Sequence, residues 1–451
     1  MPIQTWLPLI AGHPGPKYLA IVQAVEEAVC LGTLTAGERL PPQRELARAL
    51  SVDLTTVTRA YGMLRDGGLL EGSGRLGSYI RNDVTLPPID DAGDNAMISP
   101  PQPASMLLPD AIRKGLSALL RAGGHSPLLQ YQPDGGGLHH RKLAAQMFTG
   151  RGLPTVEEEV VVTAGGQSAL HAIFATTFGR GDTICAAAAT YPGLLSLASR
   201  SGIRILPLRS DAEGIEPQSL DDAIKAGASA VYVVPTNDNP TTATMGMDRR
   251  KTVADLARRH GVLVIEDDAY GQLPQQPFPA LATFVPEQTW HIASLSKVIS
   301  PVLRVAHVRA PSRADALHLA SALHDSMIMA PHLNVALASV WFRDGTFREL
   351  VDAVRKEGIA RQRIAAPFLK GLDHAIHPEG YHIWLRLPGD MQAADLAAAL
   401  RPAGLSVVPG EAFAVSPGDL HSFARLSLGG ANDHDRLRRA FARLAAFVGG
   451  Q

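Results

Sequence analysis

Over residues 17–32 the apolar positions Leu19, Val22, Val25, Ala28 and Val29 recur at the spacing of one helix face, and Gly32 supplies a stop. Pro41 and Pro42 interrupt the chain. Gln43 to Leu50 then reads as a short helix, and Ser51-Val-Asp53 as a turn whose aspartate caps the next helix, Thr55 to Gly67. That helix turns Val57, Tyr61 and Leu64 inward and leaves Thr55, Thr56 and Arg59 on the other face. Two short strands are expected around Gly72-Ser-Gly-Arg-Leu-Gly77. Helix, tight turn, helix and a two-stranded ribbon outline a winged helix-turn-helix over residues 1–81.

From Arg81 to about Ser105 the periodicity stops. Pro87-Pro-Ile-Asp-Asp and Pro100-Pro-Gln-Pro read as a semi-extended linker, residues 82–105. Residues 106–451 then alternate apolar runs with helical segments. The runs are Glu159–Thr163, Thr183–Ala186, Ile203–Leu208, Ala230–Val234, Val262–Glu266, Trp290–Ser294 and Val305–Val308. Such runs with crossover helices imply an α/β fold, a mostly parallel sheet covered on both faces in three layers. Long helices are expected around 330–355 and 361–370. A small α+β C-terminal subdomain follows, with strands near His382–Leu387 and Phe423–Ser427.

At 451 residues the chain is long enough for two or three domains. Its formal net charge is −1, and residues 1–81 hold eight basic against seven acidic side chains, so any basic face must come from segregation. Cys30 and Cys185 form neither a disulfide framework nor a zinc spacing, which fits a reducing, cytoplasmic setting. The N-terminal Met1-Pro-Ile-Gln-Thr-Trp lacks the pattern of a signal peptide, and no apolar run reaches the length of a membrane helix.

Candidate chemistry lies in three segments in fixed order: Asn239-Pro-Thr, Asp267-Asp-Ala-Tyr270, and Ser294-Leu-Ser-Lys297 followed by Arg304. An amine that condenses with an aldehyde, an acid for a pyridine nitrogen, and hydroxyl and guanidinium donors for a phosphate are the requirements of pyridoxal 5'-phosphate. Thr163-Ala-Gly-Gly-Gln-Ser runs from a strand into a helix, where Gly166 and Gln167 would offer backbone N–H groups to the phosphate.

The first segment resembles the GntR family of bacterial regulators through Leu40, Pro41, Arg44, Glu45, Leu46, Ala47, Thr56, Val57, Arg59, Ala60, Leu69, Gly74 and Gly77. The resemblance implies that Arg44, Thr55, Thr56 and Arg59 face DNA, with Arg75 on the wing. Leu54 stands where that family usually has a basic residue. Residues from about 105 to 449 resemble fold-type I aminotransferases. A GntR-type head joined to such a domain is the architecture of the MocR subfamily of transcriptional regulators.

By that resemblance Lys297 is the Schiff-base lysine, Asp267 the partner of the ring nitrogen, and Tyr270 and Asn239 the groups at the ring O3'. Ser294, Ser296 and Arg304 would hold the phosphate, Tyr191 would stack on the ring, and Arg425 would clamp an effector's carboxylate. Tyr131 would reach the phosphate of the neighbouring subunit, which implies a homodimer with shared sites. Asp268 is expected to be structural. The Gly135-Gly-Gly-Leu-His-His run departs from the usual family pattern.

The reading that follows is a PLP-dependent, DNA-binding regulator that senses the cofactor, an amino-acid-like amine, or both through aldimine chemistry at Lys297. Its partners would be a double-stranded operator and a second copy of the chain. Two alternatives use the same residues: a working aminotransferase carrying a DNA-binding head, and a DNA-binding protein whose larger domain is only a dimerisation scaffold.

Overall fold

The computed structural model describes residues 17–30, 34–35, 37–66, 69–72, 77–81, 98–103, 107–121, 129–400, 403–418, 420–430 and 432–449. The chain divides into two compact units, residues 1–93 and 94–451.

The first unit contains α1 (Lys17–Cys30), α2 (Gln43–Leu50), α3 (Leu54–Asp66), β1 (Leu70–Glu71) and β2 (Tyr79–Ile80). The two strands are antiparallel, with Leu70 opposite Ile80. Val57, Tyr61 and Leu64 pack with Ile21, Val25, Leu46 and Ile80 in one apolar core. The α2–α3 turn is built from two small devices. Ser51 takes a left-handed conformation (φ 51°) and its N–H closes the end of α2. Asp53 accepts hydrogen bonds from the Thr55 N–H (2.7 Å) and hydroxyl (2.5 Å), as a capping residue should. The Tyr61 hydroxyl donates to the Pro41 carbonyl (2.8 Å), tying α3 to the segment before α2.

The second unit opens with α4 (Leu107–Arg121) and α5 (Leu138–Gly150). Its main sheet is formed by β3 (Val160–Thr163), β4 (Thr183–Ala187) and β5 (Arg204–Leu208), a small hairpin β6 (Ser210–Asp211) and β7 (Gly214–Ile215) standing apart. The remaining members are β8 (Ala230–Val233), β9 (Leu263–Asp267), β10 (Thr289–Ser294) and β11 (Ala306–Arg309). The spatial order is β3-β11-β10-β9-β8-β4-β5. Neighbours pair in parallel except around β11, which is antiparallel to both β3 and β10.

Alternation along the strands feeds two apolar layers. Ile184, Ala230, Tyr232 and Ile265 belong to one, Cys185, Val231, Val233 and Val264 to the other. Crossover helices α6 (Gly166–Thr177), α7 (Pro192–Ser201), α8 (Pro217–Lys225) and α9 (Met247–His260) supply the rest of those layers. Such double coverage explains why the strands read as continuous apolar runs.

After β11 come α10 (Arg313–Met327), α11 (His332–Asp344) and α12 (Thr346–Leu369). The expected break between residues 355 and 361 does not occur. The break falls at Gly345 (φ 87°), and α12 runs unbroken for 24 residues. Gly358 serves packing instead, since a Cβ there would lie 3.1 Å from the Gly380 carbonyl oxygen. The chain ends in β12 (His374–Ile376), β13 (His382–Arg386), α13 (Ala393–Leu400), β14 (Ser406–Pro409), β15 (Phe423–Ser427) and α14 (His434–Gly449), whose four strands form an antiparallel sheet ordered β12-β13-β15-β14.

Residues 98–103, expected to lie in the linker, instead pack on the second unit. Ile98 is buried in its core, and Pro101 forms a bridge with Gly430. Proline looks like linker composition, but it also suits an edge ribbon that needs no N–H at that position.

Candidate functional site

Strands β9 and β10 run side by side in parallel, with Ile292 opposite Asp267. Their carboxyl ends therefore deliver Asp267 and the Ser294–Lys297 turn to the same edge of the sheet, where open α/β sheets bind ligands. A cavity of about 450 Å³ opens there. Gly166, Gln167, Tyr191, Asn239, Asp267, Tyr270, Ser294, Ser296, Lys297 and Arg304 all line it, so separate segments of the sequence converge as expected. Tyr131 does not line it and stands 79% exposed at the surface.

Lys297 is partly buried. Its Nζ donates to the Ile98 carbonyl (2.6 Å), and the Tyr381 hydroxyl donates to its own carbonyl (2.6 Å). Burial, helped by the Arg425 guanidinium and opposed by Asp267, pushes the ammonium down to about 8. Asp267 is raised by burial to about 6, although the Tyr232 hydroxyl donates to it at 2.8 Å and favours the charged form. Burial likewise raises the Tyr270 phenol.

The neighbouring acids have other work. Glu266 accepts from the Leu281 and Ala282 N–H groups and from His291 Nδ1 (2.7, 2.9 and 2.8 Å). Burial alone would raise its carboxyl, but His291, Arg250 and those N–H groups hold it at about 2. Asp268 pairs with Arg151 at 2.7 Å.

At the other end of the cavity the strand-to-helix turn is shaped around Arg304. Its Nη2 donates to the Ala164 carbonyl (2.9 Å), and the guanidinium lies over Gly165 (φ 89°), where a Cβ would sit 2.9 Å from Nη2. Only glycine satisfies both the backbone conformation and that approach. Helix α6 begins at the next residue, so its unpaired N–H groups and partial positive charge face the cavity beside Ser294 and Arg304. Arg425, buried in β15, donates to Asn239 Oδ1 (3.0 Å) and stacks over Phe413 at 5.0 Å. Burial lowers the guanidinium to about 10.

Three contributors went unread in the sequence. Tyr232 hides in the apolar run Ala230–Val234, where a lone tyrosine in a buried strand was the available signal. Tyr381 and the Ile98–Ser99 segment come from remote parts of the chain and carry no local signature.

In the first unit Arg44, Thr55 and Arg59 are exposed and Thr56 is half-buried. The Arg59 guanidinium lies 3.9 Å from the centroid of the Tyr18 ring, a cation–π contact that holds it against α1. Leu54 is 39% exposed at the start of α3. Arg75 lies outside the described residues.

A winged head followed by a sheet edge that gathers a lysine, an aspartate, serine hydroxyls and an arginine defines the class. Residues 100–444 match the family aminotransferase class I and II, and residues 17–80 match bacterial regulatory proteins, gntR family. The chain belongs to the regulators of MocR-like architecture, a GntR head fused to an aminotransferase domain. It is 31% identical over 419 residues to the HTH-type transcriptional regulator YdeF of Bacillus subtilis (strain 168), covering 91% of this chain and 90% of that one. Over 404 residues it is 30% identical to the vitamin B6 salvage pathway transcriptional repressor PtsJ of Salmonella typhimurium, covering 88% and 91%. Among solved structures it is similar to LysN, an alpha-aminoadipate aminotransferase of Thermus thermophilus complexed with N-(5'-phosphopyridoxyl)-L-leucine. That match has a TM-score of 0.71, 25% identity, and covers 79% of this chain and 93% of LysN.

The cofactor of the aminotransferase family is pyridoxal 5'-phosphate. The residues fit it. The Tyr270 hydroxyl and the Ser296 hydroxyl are buried at the cavity and have no hydrogen-bond partner among the described residues. Buried polar groups rarely go unsatisfied, so both call for a polar ligand. No helix of the described residues is long and apolar enough to cross a membrane.

Proposed function

We propose that the chain is a transcription regulator whose larger unit holds pyridoxal phosphate covalently through the Lys297 amine and answers to an amine bearing a carboxylate. The carrying observation is the convergence of a depressed lysine, a buried aspartate and the unpartnered Tyr270 and Ser296 hydroxyls on one cavity of ligand size. When bound, the cofactor supplies an aldehyde that condenses with primary amines and a ring that withdraws electrons.

Each side chain has a task in this reading. Lys297, lowered to about 8, presents a useful fraction of free amine near neutrality. Asp267, mostly charged above its value of about 6, pairs with the ring nitrogen and keeps it protonated. Tyr270 and Asn239 serve the ring O3', and Tyr191 covers the ring. The N-terminus of α6 at Gly166 and Gln167, with Ser294, Ser296 and Arg304, takes the phosphate. Arg425 exchanges its bond to Asn239 for a bidentate grip on the effector's carboxylate. Tyr131, exposed on its own chain, reaches the cavity of a second copy in a homodimer. On the head, Arg44, Thr55, Thr56, Arg59 and Arg75 meet the operator.

Effector binding shifts operator affinity only by as much as its affinity differs between the two states of the protein. PtsJ is named a repressor of vitamin B6 salvage, which supports the cofactor itself as one signal. The test is borohydride reduction followed by mass mapping, together with operator binding by the wild type and Lys297→Ala with and without cofactor. Modification within residues 294–304 and a cofactor response lost in the variant support the reading; an unmodified peptide overturns it. A second reading, turnover as an aminotransferase, is favoured by the likeness to LysN. Repeated conversion of an amino acid and a keto acid in the same samples would establish it.

A further inference from the structure

Residues 98–103 form a ribbon held at two places of different character. At one end the ribbon is hydrogen-bonded to the neighbouring backbone and to Arg361. The Gln102 N–H donates to the Gly430 carbonyl (3.3 Å) and the Gly430 N–H to the Pro100 carbonyl (3.2 Å). Arg361, only 2% exposed, reaches the Gln102 carbonyl (3.2 Å) with one arm, the Leu428 carbonyl (2.9 Å) with another, and Glu357 (2.7 Å) with Nε. A Cβ on Gly429 would run into the Ser99 carbonyl, so the ribbon lies directly on that backbone.

At the other end the attachment is the Lys297 ammonium, 2.6 Å from the Ile98 carbonyl. Ile98 and Ser99 themselves line the cofactor cavity. Residue 98 is the first described residue of the second unit, which begins at residue 94.

We infer that the Ile98–Ser99 end of this ribbon is a latch whose catch is the same nitrogen that captures the cofactor, so that covalent occupation of Lys297 releases the first described segment of the larger unit. The inference rests on the proposed function, whose Lys297 attachment it deepens into a route of regulation. Condensation of the amine with an aldehyde carbon forms a C=N bond, expels water and leaves the nitrogen at most one proton. The Ile98 carbonyl then loses its ammonium donor and is left as a buried acceptor in search of water. An amine effector that takes the aldehyde from the lysine regenerates the ammonium and closes the latch. Stripped and effector-loaded proteins therefore share the closed ribbon, and the cofactor-loaded protein alone has it open.

The test is hydrogen exchange read by mass spectrometry on the full-length chain, stripped of cofactor and then loaded with pyridoxal phosphate. The Gln102 and Gly430 amides report docking of the ribbon. Loading is expected to speed their exchange about tenfold, the effect of losing one charge-assisted hydrogen bond. Stripped Lys297→Met, or Lys297→Ala if Met does not fold, is expected to match the loaded wild type. Equal exchange in stripped and loaded wild type, with borohydride mapping showing the cofactor on Lys297, overturns the latch and leaves the proposed function standing. If mapping shows no attachment, the proposed function fails. The latch is then judged by stripped wild type against the variant, and equal exchange between them overturns it too.

Discussion

In the head, Arg44, Thr55 and Arg59 are exposed on α2 and α3 and Thr56 is half-buried, over an apolar core. In the cavity, Asp267, Tyr270, Ser294 and Ser296 are buried, Lys297 is partly buried and Arg304 is exposed; burial pushes Asp267 and Lys297 from their ordinary ionisation. The difference is physical. A duplex brings its own charge to a solvated surface, so exposed residues suffice and salt weakens them. A covalent capture needs an amine stripped of water, so the protein must build a dry pocket and hold every polar wall in place.

The comparison breaks hardest at Lys297. Lys297→Ala should abolish the visible absorption of the loaded protein and the borohydride-trapped peptide altogether, and leave the head's melting unchanged. Next comes pH. Because the Lys297 ammonium sits at about 8, the rate of cofactor capture should level off above that pH and fall about hundredfold two units below it, whereas an ordinary lysine would keep accelerating towards pH 10. Stopped-flow absorbance measures it. Arg425→Ala should weaken an amino acid's effect on the loaded protein by about 30-fold while cofactor is still retained, as expected for one bidentate carboxylate pair. Titration of the absorption spectrum with amino acid separates the two.

The head should respond differently. Arg44→Ala is expected to lower operator affinity uniformly across sequences and to reduce the slope of log affinity against log salt by about one, with no loss of stability. Smallest is Tyr61→Phe, which removes the hydroxyl from the Pro41 carbonyl and should destabilise the head by about 1 kcal/mol in denaturant melts.

How much the sequence disclosed differs between the regions for related reasons. Strand positions in the larger unit were legible to within about one residue, because burial on both faces forces unbroken apolar runs. The residues that line the cavity were legible as short motifs, and Asp267 and Ser294 among them sit at strand ends where local spacing fixes direction. The Asp53 cap was legible because its bonds to Thr55 are two residues away. Long-range partners were not. Tyr232 reads as one more strand residue, and the contact between Ile98 and Lys297 spans 199 positions. Gly358 and Gly345 show the same limit within helices: one glycine makes room for a neighbouring backbone and the other ends α11, and their local sequences do not say which.

Three successive acids, Glu266, Asp267 and Asp268, stand at the end of β9, and only the middle one faces the cavity. Strand alternation sends the outer two to the opposite side, where His291, Arg250 and Arg151 receive them. A deletion or insertion of a single residue between Gly261 and Ile265 would therefore rotate the wrong carboxylate inward and strand two guanidinium groups without their counter-ions. Length changes in this stretch should be lethal to folding and function together, while loops on the far edge of the sheet can lengthen freely.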